Sequence, residues 1–188
     1  MQKITHELLH RLPKVELHCH LDGCVRPESI LEVALKEGVE LPSFDLDELS
    51  SYLKIGKKRG SLEEYLHRFD ITLSVMQTPE SLTRFAFELI EDVAKENVRY
   101  IEVRYSPILH QKKGMTLNMA VDSVKKGLKK GEKEFGVKSG IIVCGIRSIS
   151  PNISLKLADL AVQYKNKGVV GFDLAGAEEN FPAKEHRE

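Results

Sequence analysis

Glu16-Leu17-His18-Cys19-His20-Leu21-Asp22-Gly23 is the segment from which the rest of this chain can be interpreted. In an extended strand successive side chains point to opposite faces. His18 and His20 therefore share one face, and Cys19 takes the other. Strand rise puts the two imidazoles about 7 Å apart at Cα, close enough for both to reach one ion. Neutral imidazole suits Zn2+ at about 2.0–2.1 Å, although zinc normally takes three or four protein ligands. If extension persists, Asp22 faces the same way, where its carboxylate can accept a hydroxyl or hold the metal. Gly23 then lets the chain turn away tightly.

Outward from this segment, short apolar runs alternate with longer helix-like stretches. Residues 15–19, 100–105, 141–146 and 169–174 read as strands, rich in β-branched side chains. The last two lack clean polar alternation, as strands covered on both faces do. Amphipathic helices are predicted over Pro27–Glu37, 79–96, Leu117–Phe135 and 155–164, with Ser154 as N-cap of the last. A further helix, 62–75, falls in the long insert between the first two strands. The order is that of βα units around a parallel sheet. On this pattern alone, a doubly wound sheet and a (β/α)8 barrel both remain open.

The chain has 188 residues, enough for one globular domain, and 28 Lys and Arg balance 28 Asp and Glu. Zero net charge argues against a basic surface for nucleic acid or anionic lipid, and fits a small neutral substrate better. No apolar run approaches the roughly 20 residues of a membrane span. The N-terminus has no signal-peptide core, and Cys19, Cys24 and Cys144 form no CxxC pair. A disulfide framework is therefore not expected, and a reducing cytoplasm is the default location.

Residues 13–23, Pro-Lys-Val-Glu-Leu-His-Cys-His-Leu-Asp-Gly, resemble the opening motif of the adenosine deaminases, within the amidohydrolase superfamily. Phe69-Asp70 is similar to the family's lid helix, and residues 100–107 resemble its second strand. Asp173-Leu174-Ala175-Gly176 with Glu178 resembles its fourth. The likeness covers nearly the whole chain, residues 1–188, as a single partial hydrolase domain.

The resemblance implies an α/β fold, the N-terminal half of a (β/α)8 TIM barrel with a helical insert after strand one. It implies zinc at the C-terminal mouth and hydrolytic deamination of adenosine or deoxyadenosine to the inosine product. A metal-bound water of lowered pKa would attack the purine. His18 and His20 would be the zinc ligands, with His20 also near the substrate. Asp22 would bind the ribose side, and Gly176 would leave room for a backbone contact to the purine. Leu62, Tyr65, Leu66 and Phe69 would line an apolar lid. Arg104 and Glu102 are expected in structural ion pairs, His67 and His110 in solvent, and Cys24 without a role.

The family pattern also calls for a third zinc-binding His, a Glu proton donor, a water-orienting His and an Asp pair. None of these can be placed on this sequence. Residues 182–188 read as the start of a helix cut short, and His186 is not assigned as a ligand. The expectation is an incomplete barrel that has no catalytic residue of its own, does not deaminate alone, and self-associates through exposed sheet edges. The alternatives are a non-catalytic half-barrel binding a purine or a partner protein, and a deaminase of adenine or another 6-aminopurine. The cytidine-deaminase signature, His-x-Glu followed by Pro-Cys-x-x-Cys, is absent.

Overall fold

The four predicted strands all form. In the computed structural model, which describes residues 3–54 and 68–187, they are β1 (Lys14–His20), β2 (Val98–Tyr105), β3 (Lys138–Ile146) and β4 (Val169–Ala175). Each is one to three residues longer than its apolar run, because ladder hydrogen bonds continue into polar flanks such as Lys14 and Lys138. Every pairing is parallel, and the order is β1-β2-β3-β4. A doubly wound sheet reverses its strand order at a switch point. These four strands advance without reversal, as the first half of a (β/α)8 barrel does.

Seven α-helices are described: α1 (His6–Arg11), α2 (Pro27–Glu37), α3 (Leu46–Leu53), α4 (Phe69–Ser74), α5 (Pro79–Lys95), α6 (Leu117–Phe135) and α7 (Pro151–Gln163). Helix α7 corrects the predicted start at residue 155. Pro151 sits in its first turn after Ser150, and Ser154 is a buried residue inside the helix rather than its cap. Helices α1 and α3 escaped prediction, although each carries an N-cap: the side chains of Thr5 and Asp45 accept backbone N–H bonds. Of the helix predicted over 62–75, the described part is α4; Leu62, Tyr65 and Leu66 lie outside the described residues. Among the described residues no helix is long and apolar enough to cross a membrane.

The core fills the space between the sheet and its helices. Ile101, Val103, Ile141 and Val143 from the strands are buried with Phe85 and Ile90 of α5 and Val124 and Leu128 of α6. Helices α5 and α6 approach closely where α6 carries glycine. A Cβ at Gly127 would stand 2.2 Å from the carbonyl oxygen of Thr83, and one at Gly131 would stand 2.6 Å from Ile90 Cβ. The α6 backbone thus meets backbone at Thr83 and side chain at Ile90, an approach that only glycine permits.

Strand β1 carries an irregularity where its two histidines lie. Glu16 pairs with Ile101 but Cys19 with Val103, so β1 spends one more residue than β2 between those pairs. Such bulges re-aim side chains beside functional sites. Cys19 emerges against the core, while His20 pairs with Arg104 on the other face.

Candidate functional site

His18 and His20 come together at the C-terminal end of β1, as predicted from alternation. Their ring centroids are 5.3 Å apart. The backbone N–H of His18 donates to Glu16 Oε1 at 2.9 Å, which fixes the strand locally. Burial, followed by the charge of Arg104 and the neighbouring His18, lowers the His20 pKa to about 4. His20 is therefore neutral at physiological pH, the form that can donate a lone pair to a metal.

The donor set is partial. Among the described residues no group of three or more His, Cys, Asp or Glu side chains is arranged to hold a metal ion. The two imidazoles fit zinc chemically but supply only two of its normal three or four ligands. Arg104 Nη1 also lies 3.0 Å from Nδ1 and 2.7 Å from Nε2 of His18. A cation at His18 requires that ring edge to turn away from the guanidinium.

Asp22 follows in a short 3-10 turn, Leu21–Gly23, with Leu21 buried beneath it. Its carboxylate is almost fully buried, and among the described residues Oδ1 has no hydrogen-bond partner. His20 Nδ1 is 3.8 Å from that oxygen, too far for a hydrogen bond. Burial raises the Asp22 pKa to about 6, against the opposing pull of the backbone N–H groups of Asp22 and Gly23 and of Arg104. A buried acceptor without a partner suits a ligand hydroxyl, because leaving it unpaired costs about 1–3 kcal/mol.

Phe69, at the start of α4, leans over this turn. Its ring centroid is 6.5 Å from that of His20, and its Cε1 is 3.4 Å from where a Cβ on Gly23 would lie. Asp22, Gly23, Phe69 and Thr72 border a cleft of about 70 Å³. Gly176, beyond the end of β4, has φ +102°, a conformation that side-chain-bearing residues rarely adopt.

Arg104 occupies the centre of this face of the sheet. It is buried, contacts His18 on β1 and forms an ion pair with Asp173 on β4. The predicted structural ion pair of Arg104 is thus present. Glu102 instead accepts a hydrogen bond from Tyr100 Oη at 2.8 Å. His110 contradicts the prediction of a solvated loop residue. It is fully buried, with Nδ1 2.9 Å from the Met76 carbonyl oxygen, because the 3-10 turn Pro107–His110 tucks it against Tyr105. Nothing in its polar neighbours Gln111, Lys112 and Lys113 signals that burial. Cys24 also has an unforeseen neighbour, the sulfur of Cys19 at 3.4 Å. The tail forms only the 3-10 turn Ala183–His186, where His186 Nε2 lies 3.0 Å from the Arg147 carbonyl oxygen.

Known proteins match this arrangement along nearly the whole chain. An adenosine deaminase from Shewanella woodyi is 46% identical over 167 residues, covering 89% of this chain and 50% of that relative. Among solved structures, an adenine deaminase from Arthrobacter aurescens superposes with a TM-score of 0.80 at 28% identity, covering 92% of this chain and 51% of that one. A zinc-bound amidohydrolase from Burkholderia ambifaria superposes with a TM-score of 0.83 at 25% identity, covering 98% and 50%. The chain spans about half the length of the curated relatives it matches. The family model described as adenosine deaminase matches residues 13–188, and the chain belongs to that family.

Proposed function

We propose that this chain forms the N-terminal half of a zinc-dependent hydrolase that deaminates adenosine and deoxyadenosine to inosine and deoxyinosine. The observation that carries this reading is the pairing of His18 and His20, rings 5.3 Å apart, beside the orphaned carboxylate of Asp22. His18 and His20 would hold the metal, and zinc there would supply the chemistry of lowering the pKa of a water for attack at C6 of the purine. Asp22 accepts a ribose hydroxyl. Phe69 covers the apolar side of the ligand, with Leu62, Tyr65 and Leu66 assigned to the same lid from sequence. Gly176 leaves the purine space to approach the backbone.

The reading favours a nucleoside over adenine because free adenine offers no sugar hydroxyl to Asp22. The curated adenosine deaminases, at 44–46% identity, support it as well. The adenine deaminase from Arthrobacter aurescens, at 28% identity, favours the free base as the second reading. Among the described residues only two imidazoles stand ready for the metal, and we propose that the chain alone does not deaminate. We also propose a cytoplasmic location and self-association of the isolated chain through β1 and β4.

The test has two parts. Zinc is titrated into the 188-residue chain and into His18→Ala and His20→Ala variants, and metal content is read after gel filtration. Loss of zinc in both variants supports the ligand pair, and equal retention contradicts it. Adenosine, deoxyadenosine and adenine are then offered to a form extended to the full length of the relatives. Preference for adenine would overturn the nucleoside assignment. Inosine formed by the short chain above its His18→Ala control would overturn the claim that it is inactive alone.

A further inference from the structure

Cys19 and Cys24 lie five positions apart, yet their Sγ atoms are only 3.4 Å from each other. Local folding produces this approach. Cys19 is the next-to-last residue of β1, and the 3-10 turn Leu21–Gly23 doubles the chain back so that the backbone N–H of Cys24 donates to the Leu21 carbonyl oxygen at 3.2 Å. Leu21 is buried and anchors the turn. Beyond Cys24, Arg26 Nε and Nη2 donate to the Asp92 carboxylate at 2.8 and 2.5 Å, and Nη2 to Glu91 Oε2 at 2.7 Å, all on α5. Both ends of the segment are therefore fixed, and the sulfurs meet because of the fold. A disulfide bond is about 2.05 Å long, so side-chain rotation and a small turn adjustment have about 1.4 Å to close.

We propose that Cys19 and Cys24 are a reversible modification site, forming an intramolecular disulfide with low-molecular-weight disulfides such as oxidised glutathione. Cys24 is exposed and Cys19 partly buried, which sets the order of the steps. The Cys24 thiolate attacks the glutathione disulfide, forming a mixed disulfide and releasing one glutathione thiolate. Cys19 sulfur then attacks Cys24 Sγ, the protein S–S bond forms, and the second glutathione leaves. Two protein thiols are oxidised, one glutathione disulfide is reduced to two thiols, and both protons end on glutathione. The bridge encloses His20, Leu21, Asp22 and Gly23, and so staples the turn that carries the orphaned carboxylate. Cys144 is buried in β3 and takes no part. The inference does not depend on the deaminase reading.

The experiment equilibrates the metal-free 188-residue chain with reduced and oxidised glutathione, then quenches, alkylates and weighs it. The expected product has lost two hydrogen masses and two alkylatable thiols, maps to a peptide joining Cys19 to Cys24, and reverts with dithiothreitol. Cys144→Ser behaves identically; Cys24→Ser and Cys19→Ser form no internal bridge. The folded chain should oxidise at a glutathione ratio about tenfold more reducing than the same chain in urea, because the fold presents the sulfurs to each other. Equal midpoints in urea and buffer, or a glutathione adduct on Cys24 that Cys19 never displaces, would overturn the proposal. Circular dichroism of each variant separates a failure of folding from a failure of bridging.

Discussion

Arg104 and Asp173 are ion-paired across the width of β3, joining the second strand of the sheet to the fourth. The same guanidinium reaches His18 on β1, so one side chain touches both edge strands. Its Nε is buried and has no hydrogen-bond partner among the described residues.

Arg104→Ala should therefore loosen both edges together. A fully buried pair that loses one partner costs roughly 3–5 kcal/mol. Asp173 keeps access to water, so the expected loss is smaller, about 2 kcal/mol. Arg104→Lys should fall between wild type and alanine, since an ammonium can meet Asp173 but lacks the fork that also spans to His18. Urea unfolding of the three proteins measures this. An alanine variant as stable as wild type would show that the bridge contributes nothing.

The contact between α5 and α6 yields a second expectation. Alanine is a better helix former than glycine by about 1 kcal/mol. At Gly127, however, its Cβ would meet the Thr83 carbonyl oxygen at 2.2 Å and Ala86 Cβ at 2.8 Å. Backbone oxygen cannot rotate aside, so the helices must separate, and overpacking costs about 1–3 kcal/mol. Gly127→Ala is predicted to lower stability by a net of up to about 2 kcal/mol despite its higher propensity. Lys133→Ala, on the exposed face of the same helix, should change it by less than about 0.5 kcal/mol. A stabilised Gly127→Ala would mean that α6 shifts freely.

Much of this architecture is legible in the sequence, and what is not shares a cause. Short apolar runs rich in β-branched residues give all four strands, and Pro27 and Pro79 mark the starts of two helices, because these signals are local. The choice between a doubly wound sheet and a barrel is not local: it rests on strand order, which no single segment encodes. The facing of His18 and His20 follows from alternation, yet the bulge in β1 is visible only in its register with β2. Arg104 reads as an ion-pairing residue, but its partner Asp173 is chosen by the registers of β2 with β3 and of β3 with β4. His110 fails for the same reason, since tertiary packing against Met76 and Tyr105 overrides polar neighbours.

His110 makes acid sensitivity measurable. Burial lowers its pKa to about 4, against the slight opposing effect of its bond to the Met76 carbonyl. An unfolded chain returns the imidazole to about 6.5, so the unfolded state binds the proton more readily. The stability tied to neutral His110 is fully present above about pH 6.5 and is lost progressively as pH falls towards 4, up to a ceiling of about 3 kcal/mol. Urea midpoints of wild type and His110→Gln, followed from about pH 7.5 to 4.5, should converge as acid is added. Parallel curves would remove His110 from the account.

Asp22 runs in the opposite direction and sets stability against function. Its pKa is raised to about 6 by burial, above the unfolded value. The folded state therefore favours the protonated carboxyl. The associated stability is fully present below about pH 4 and is lost as pH rises through 6, leaving a penalty of up to about 3 kcal/mol at neutral pH. Asp22→Asn keeps an oxygen for the backbone N–H groups of Asp22 and Gly23 but carries no charge. In the metal-free chain it should be more stable than wild type by about 2 kcal/mol at pH 7, with the advantage vanishing near pH 4. If Asp22 accepts a ribose hydroxyl, the same variant of the full-length protein binds adenosine about tenfold more weakly, because hydrogen bonds to charged groups contribute roughly 1.5–3 kcal/mol. Its affinity for adenine, which has no sugar, should be unchanged. Equal weakening for both ligands would move Asp22 from the ribose to the base or to the metal.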